Sequence, residues 1–149
     1  MAAERLSDTV FYSLEKAIKS YRQFAQQNID RAGVDITIDQ WLVLKTLQDT
    51  PDIMLTQVAR NVFKDVASVT RIIQLLESKG YVTRETHARD GRRSRLALTR
   101  LGIDTIRVLQ PTIGANRRHA LRGISDKDLA RTHKLLDAIA SNCHPEAEQ

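Results

Sequence analysis

The chain has 149 residues and a net charge of +5, with 42% hydrophobic and 28% charged residues. This length fits one compact domain, and the composition favours a packed core over disorder. The N-terminus lacks the apolar middle region of a signal peptide, and no apolar run approaches the length of a membrane span. The single cysteine, Cys143, has no internal disulfide partner. We therefore expect a cytoplasmic protein with no membrane partner.

The positive charge is concentrated in one part of the chain. Residues 60–107 contain 11 lysines and arginines against 5 acidic residues, whereas the rest of the chain contains 12 basic and 13 acidic residues. A concentrated basic surface attracts polyanions, although many such surfaces are only solvated. Aromatic residues make up 5% of the chain, which leaves few platforms on which unpaired bases could stack.

Two helical patterns precede the basic region. Residues 4–27 carry apolar side chains at three- and four-residue steps, on a stripe wide enough to need a large packing partner. A second helix is expected to begin at Thr37, which can form a capping box with Gln40, and to stop before Pro51. Residues 53–54 are expected to form a very short strand.

The next two helices are short and close together. Thr56 is predicted to cap the third helix and Asp65 to cap the fourth, which ends at Gly80. Only Phe63 and Lys64 are left between them, so the pair is predicted to form a helix-turn-helix. In this motif the second helix lies in the major groove of DNA, and its N-terminal residues reach base edges.

The fourth helix has an apolar side and a side that suits DNA. Its apolar residues are expected to face the core: Val69, Ile72, Ile73 and Leu76. The DNA-binding residues are then predicted to be Ala67, Ser68, Thr70, Arg71 and Gln74, together with Lys64 from the turn. Arginine can bond guanine, glutamine can bond adenine, and hydroxyls can bond bases or phosphates. The N–H groups at the helix start also favour a phosphate.

From Tyr81 onward the apolar residues alternate with polar ones, which is typical of β-strands. Two such segments, 81–86 and 95–98, flank turn residues and predict a β-hairpin. The hairpin arginines that are predicted to bind DNA are Arg84, Arg89, Arg92, Arg93 and Arg95. Arginine at a narrow loop tip suits a narrow minor groove, and Asp90 could pair with Arg92 to stiffen the tip. The alternative is a solvated loop, in which so many arginines would repel one another.

Two helices are predicted after the hairpin. Thr99 caps a long one that contains Pro111, and Ser125 begins the last one. The last helix places four apolar residues on one side: Leu129, Leu135, Leu136 and Ile139. The first helix and these two have more apolar surface than the central module can cover. A symmetric dimer would bury that surface, so we expect a homodimer.

Residues 37–102 resemble the MarR family of bacterial winged-helix regulators. The matching segments are Thr37, Gln40-Trp41, Leu55-Thr56, Asp65, Ser68-Val69-Thr70-Arg71, Gly80-Tyr81-Val82, Arg89-Asp90-Gly91-Arg92-Arg93 and Leu98-Thr99. The flanking helices resemble the dimerisation helices of the family, so the resemblance covers nearly the whole chain.

The resemblance implies a predominantly α fold with a small β-hairpin (α+β), in which N- and C-terminal dimerisation helices flank a winged helix-turn-helix. Residues 1–149 would form a single domain, with the DNA-binding lobe at 37–102 and helical dimerisation regions at 4–27 and 103–142. The protein would be a homodimer on a pseudo-palindromic operator in double-stranded DNA, most often as a repressor. Asp90 would order the wing, and Arg92 would enter the minor groove.

The resemblance also implies a small-molecule effector, because members of the family often bind phenolic or carboxylate compounds between the dimer helices and the DNA-binding lobe. Phe11, Tyr12, Tyr21 and Trp41 are the predicted lining residues, although aromatic residues at helical spacing are more often part of a core. Other members sense oxidants through cysteine. Cys143 lies near the C-terminus, and the simpler interpretation is an incidental thiol.

No sequence pattern indicates catalysis, a metal or a cofactor. The histidines are scattered, and there is neither a glycine-rich phosphate loop nor a nucleophile motif. We therefore expect a sequence-specific transcriptional regulator and not an enzyme. Two alternatives remain open: an architectural or nucleoid-associated DNA-binding protein without a specific operator, and an interaction module whose winged helix docks on another protein.

Overall fold

The computed structural model describes residues 2–86 and 94–144. This part of the chain contains a 3-10 turn at Leu6–Asp8, six α-helices and one antiparallel two-stranded sheet. In chain order the elements are α1 (Val10–Arg31), α2 (Ile38–Asp49), α3 (Leu55–Asn61), α4 (Val66–Ser78), β1 (Val82–Thr86), β2 (Ser94–Leu98), α5 (Arg100–Ala120) and α6 (Asp126–Asn142). The mostly helical fold with a β-hairpin wing, predicted from the sequence, is confirmed.

Side-chain caps begin several helices where the sequence predicts them. At α2 the Gln40 N–H donates to Thr37 Oγ1 and the Thr37 N–H donates to Gln40 Oε1, both over 3.1 Å, which completes the capping box. At α4 the Ser68 N–H donates to the Asp65 carboxylate over 2.7 Å. Ser125 caps α6 in the same way. Local hydrogen bonds therefore fix the first residues of α2, α4 and α6.

The N-terminal helix differs from the predicted span of 4–27. Thr9 accepts a hydrogen bond from the Tyr12 N–H and begins α1 there, so the residues before it form only the 3-10 turn. α1 then continues to Arg31. It does so because Ile29, which is fully buried, extends the apolar side of the helix beyond the predicted end.

The segment before α3 also differs from the prediction. Residues 53–54 form no strand, and the described sheet contains only β1 and β2. Thr56 is not the cap of α3, because the helix begins at Leu55. Met54 occupies the cap position without a side-chain hydrogen bond. Residues 53–54 have no neighbouring strand to pair with in the described sheet, so they lead into α3 as irregular backbone.

The core is formed mainly by aliphatic side chains from α2, α3 and α4. Its largest fully buried members are Ile29, Val43, Leu44, Val58, Val69, Ile73, Leu76 and Leu109. Burial of one such side chain contributes about 1.5–3 kcal/mol. Ile72, which was predicted to face inward, is only half-buried and packs against the edge of this core. The core fixes the inner side of α4, so it determines which residues of α4 face the solvent.

The start of α5 is attached directly to the end of α4 and the entry to β1. The Gly102 N–H donates to Thr99 Oγ1 over 3.1 Å, and the Thr99 hydroxyl donates to the Gly80 carbonyl oxygen over 2.6 Å. A Cβ atom at position 102 would lie 2.3 Å from the carbonyl oxygen of Tyr81. Glycine is therefore required at position 102 for this close packing.

The chain divides into two compact units, 1–116 and 117–149. In the first unit, residues 10–20 of α1 are all exposed except Leu14, which is half-buried. In the second unit, α6 contains no buried residue. Across the described ranges, no helix has both the length and the apolar composition needed to cross a membrane.

Candidate nucleic-acid interface

The outer side of α4 presents three of the predicted DNA-binding residues. Val69 and Ile73 are fully buried on the inner side, whereas Ala67, Arg71 and Gln74 are exposed. The exposed residues are four and three positions apart, so they share one face of the helix. This face can offer a guanidinium and an amide to base edges.

The two hydroxyl residues of α4 are half-buried, and their hydrogens are used within the helix. The Ser68 hydroxyl donates to Asp65 Oδ2 over 2.9 Å, and the Thr70 hydroxyl donates to the Val66 carbonyl oxygen over 2.8 Å. A hydroxyl has a single hydrogen, so in this arrangement both groups can only accept another bond. They can accept from a base amino group but cannot donate to a phosphate.

A carboxylate already occupies the N-terminus of α4. The hydrogen bonds from the Ser68 N–H and hydroxyl hold the pKa of Asp65 below its ordinary value, so this group stays ionised. This ionised carboxylate accepts from the Ser68 N–H at the start of the helix and repels a phosphate. The Asp65 carboxylate thus occupies the N-terminus of α4, where a phosphate was expected to bind.

Lys64, in the turn of the helix-turn-helix, pairs with a carboxylate of α2. Its Nζ lies 3.3 Å from Asp39 Oδ2, and the other oxygen of Asp39 accepts from Arg22 of α1. Partial burial works to raise the pKa of Asp39, but the hydrogen bonds and charges of Arg22 and then Lys64 hold it below its ordinary value. One ionised carboxylate therefore joins α1, α2 and the turn.

Two hairpin arginines that are predicted to bind DNA have acidic partners. Arg84 of β1 donates through Nε to Glu77 of α4 over 2.8 Å, and Arg95 of β2 forms an ion pair with Asp52. Their side chains remain 41% and 42% exposed, respectively. Because arginine has five N–H donors, each can hold its partner and still reach a phosphate. The two ion pairs attach each strand of the hairpin to the helical part of the lobe.

The other predicted wing residues lie between the two described ranges. They are Arg89, Asp90, Arg92 and Arg93. Their roles at the tip of the wing stay predictions.

The aromatic residues predicted to line a ligand pocket have different surroundings. Phe11 and Tyr12 are exposed near the start of α1, Tyr21 is half-buried, and Trp41 is a core residue only 5% exposed. Tyr12 borders an open depression of about 360 Å³. Its other lining residues are all on α1: Glu15, Lys16, Lys19, Ser20 and Gln23. One helix alone cannot enclose a ligand, so a closed site here would need a second wall.

In the described part of the chain, no three His, Cys, Asp or Glu side chains come together as a metal site would require. Cys143 is an exposed free thiol at the end of α6.

Four residues that shape this surface were not predicted from the sequence. Asp39, Asp52 and Glu77 each hold a basic side chain from another element, and no local sequence pattern indicates such pairs. Phe63 lies in the turn with a left-handed backbone, φ 59°. The signal for Phe63 was its position directly after a helix end, where a left-handed residue is common.

A helix-turn-helix followed directly by a two-stranded hairpin defines a winged helix-turn-helix lobe. The MarR family model matches residues 36–94, from just before α2 to the first residue of β2. Over 138 residues the chain is 20% identical to the HTH-type transcriptional repressor IacR of Pseudomonas putida, a match that covers 93% of this chain and 81% of IacR.

Solved structures agree with this class over almost the whole chain. One of them is a structure of BpsR from Bordetella bronchiseptica, with a TM-score of 0.83 and 21% identity to this chain. That structure addresses how 6-hydroxynicotinic acid regulates the DNA binding of BpsR. It covers 93% of this chain and 98% of BpsR. The S. aureus MepR–DNA complex has a TM-score of 0.81 and 19% identity, over 94% of this chain and 100% of MepR. At these identities the likeness establishes the fold.

The lobe at residues 36–94 matches the model of the MarR family, which is a family of winged helix-turn-helix transcriptional regulators and not of enzymes. This match identifies the chain as a DNA-binding regulator, as the sequence predicted.

Proposed function

We propose that the protein is a homodimeric repressor that binds a pseudo-palindromic operator in double-stranded DNA. The outer face of α4 carries this proposal, because Ala67, Arg71 and Gln74 project from a helix whose other side is fixed in the core. Sequence-specific contacts need such a rigid support. The protein would act in the cytoplasm, on the chromosome.

The homodimer is supported by helices that have little to pack against in one chain. Residues 10–20 of α1 are almost entirely exposed, and α6 has no buried residue. Large apolar side chains remain exposed on these helices and on α5: Phe11, Ile18, Val108 and Leu135. Burial of apolar surface is favourable by about 25 cal/mol per Å². A second copy of the chain would cover these faces and would present two copies of α4 to two half-sites.

The hairpin and the turn would supply the contacts that do not depend on sequence. Arg84 and Arg95 are held on the two strands of the wing by ion pairs, and their partly exposed side chains can reach phosphates. We propose that Arg89, Arg92 and Arg93 enter the minor groove at the tip and that Asp90 orders it. Lys64 would contact a phosphate from the turn.

We further propose that a small aromatic or carboxylate molecule releases the repressor from DNA. The structural relative BpsR, whose DNA binding is regulated by 6-hydroxynicotinic acid, supports this class of effector. The depression beside Tyr12 contains Lys16 and Lys19, which suit a carboxylate, and its volume is in the range of small-molecule sites. Phe11 and Tyr21 lie on the same helix, and the partner subunit would supply the second wall.

Selection of duplexes from a random pool tests the repressor proposal. The wild-type chain should enrich an inverted repeat with half-sites about one helical turn apart, and light scattering should show two chains for each duplex. Lys127→Ala, which removes a positive charge outside the lobe, should select the same repeat. A pool without an enriched repeat, together with broad occupancy of the genome, would favour the architectural alternative. A thermal-shift screen of aromatic carboxylates, followed by DNA release, tests the effector.

A further inference from the structure

Phe63 is the most exposed large hydrophobic side chain of the described residues. It is 94% exposed and lies in the turn between α3 and α4, with φ at 59°. A bulky residue rarely adopts a left-handed backbone, and strained residues that persist tend to cluster at functional sites. Both the exposure of the phenyl ring and the left-handed backbone conformation of Phe63 therefore require a physical explanation.

The hydrogen bonds of the turn explain why the backbone is left-handed at Phe63. The Phe63 N–H donates to the Arg60 carbonyl oxygen over 3.2 Å, and the Lys64 N–H donates to the Ala59 carbonyl oxygen over 3.0 Å. These two bonds form a Schellman motif at the end of α3, and the residue at the position of Phe63 is usually glycine.

The end of α4 provides an internal comparison. There the Gly80 N–H donates to the Glu77 carbonyl oxygen over 3.0 Å, and the Tyr81 N–H donates to the Leu76 carbonyl oxygen over 2.9 Å. This is the same motif, and glycine occupies the left-handed position with φ 81°. The fold therefore requires a left-handed residue at position 63 but does not require phenylalanine.

Exposed apolar residues lie on both sides of the Asp65 carboxylate where α4 begins. Val66 is 42% exposed and Ala67 is exposed, and we refer to Phe63, Val66 and Ala67 together as the apolar tip. The adjacent hydroxyls of Ser68 and Thr70 have no hydrogen left to donate, because both bond within the helix. The first turn of α4 thus offers hydrocarbon beside the Asp65 carboxylate, and its hydroxyls can accept hydrogen bonds but not donate them.

We infer that the apolar tip recognises the 5-methyl groups of thymine in the major groove, with Phe63 as the principal contact. In the major groove, the thymine methyl is the apolar group on a base edge, and small apolar and aromatic side chains contact it. Contact with DNA would bury the phenyl ring that water surrounds in the free protein. The inference depends on the proposed function, which places α4 in that groove.

Replacement of thymine by deoxyuridine tests this inference, because it removes the methyl group and leaves base pairing unchanged. The probes are a duplex that the wild-type chain selects from a random pool and the same duplex with deoxyuridine throughout one half-site. Wild type should bind the deoxyuridine duplex more weakly, by about fourfold for each methyl group contacted. Phe63→Asn, whose backbone tolerates the left-handed region, should lose most of this preference, because only Val66 and Ala67 of the apolar tip remain.

Further variants and duplexes distinguish failure of this inference from failure of the proposed function. Arg71→Ala should bind more weakly but keep the preference for thymine over deoxyuridine, and melting temperatures will show that both variants are folded. Equal binding of the two duplexes by wild type, or an undiminished thymine preference in Phe63→Asn, would overturn the inference. Weaker binding of both duplexes by Phe63→Asn with the preference intact would assign Phe63 to the sugar–phosphate backbone instead. Wild type that bound a scrambled duplex as tightly as the selected one would overturn the proposed function itself.

Discussion

Lys64 Nζ lies 3.3 Å from Asp39 Oδ2, so a lysine of the helix-turn-helix turn is held by a carboxylate of α2. The same carboxylate also holds Arg22 of α1. A helix that we propose to dimerise is thereby connected, through one ionised side chain, to the turn that we propose to approach DNA. All three side chains are partly exposed, so solvent screens their interaction.

Asp39→Asn should lower the free energy of unfolding at neutral pH by about 1 kcal/mol, because two basic side chains lose their partner in a partly screened site. The pKa of Asp39 is lower in the folded state than its ordinary value of 3.8. Its contribution is therefore complete above that value and is lost as the pH falls through the lower, folded-state pKa. The free energies of unfolding of wild type and Asp39→Asn should therefore differ at neutral pH and become equal in acid, which urea unfolding at the two pH values measures.

A matched control for Asp39 is present within α2. Asp49 forms an exposed pair with Lys45 one helical turn away, so Asp49→Asn makes the same substitution in a pair within one helix. It should change the free energy of unfolding by no more than about 0.5 kcal/mol. A loss of stability in Asp39→Asn that did not depend on pH would show that the carboxylate charge is not the cause.

Phe63→Gly should be more stable than Phe63→Ala by about 1 kcal/mol, because glycine adopts φ 59° without the strain that a Cβ introduces. Chemical denaturation of the two variants measures the difference. Gly80→Ala, at the same position of the second Schellman motif, should lose a similar amount. Equal stability of the two Phe63 variants would mean that the turn changes its backbone conformation in solution.

Gly102→Ala should destabilise the fold by more than about 2 kcal/mol, because its Cβ would lie 2.3 Å from a backbone oxygen of Tyr81. Helix propensity alone predicts the opposite, a gain of about 1 kcal/mol. Gly33→Ala, where a Cβ has nothing within 4 Å, should cost only the backbone strain of φ 75°. Thermal melting of the two variants decides between these accounts. A Gly102→Ala protein as stable as wild type would show that α5 is not packed on the Tyr81 carbonyl.

Asp65→Asn should keep the cap of α4, since asparagine caps helices as well as aspartate, and should remove a negative charge beside the proposed DNA surface. Affinity for a random-sequence duplex should rise by about two- to fivefold at low salt and converge with wild type at high salt. Asp65→Ser, also a neutral cap, should behave in the same way. Weaker binding by both variants would instead indicate that the carboxylate accepts a hydrogen bond from a base.

Features set by neighbouring residues were predictable from the sequence. The capping box at Thr37, the cap at Asp65 and the left-handed glycine at position 80 depend on local hydrogen bonds, and they set the start of α2 and both ends of α4. The start of α3 was predicted wrongly because Thr56 is a good capping residue in isolation, whereas the chain turns into the helix at Leu55 without any side-chain cap.

Features set by distant residues were not predictable. Arg22 and Asp39 are 17 positions apart, and only the packing of α1 against α2 brings them together. The outer face of α4 was assigned correctly at Arg71 and Gln74, because helical periodicity separates inside from outside. Periodicity does not show that the Ser68 hydroxyl bonds within its own helix.

Sequence-specific recognition by α4 is tested most directly by competition binding at physiological salt. Wild type and Arg71→Ala are each measured on the selected inverted repeat and on a scrambled duplex of the same composition. Wild type should prefer the selected repeat by at least about 10³-fold. Arg71→Ala should lose about 10- to 100-fold of that preference, with a smaller change on the scrambled duplex. Equal affinity of wild type for the two duplexes, or an Arg71→Ala variant with its preference intact, would contradict recognition through this face of α4.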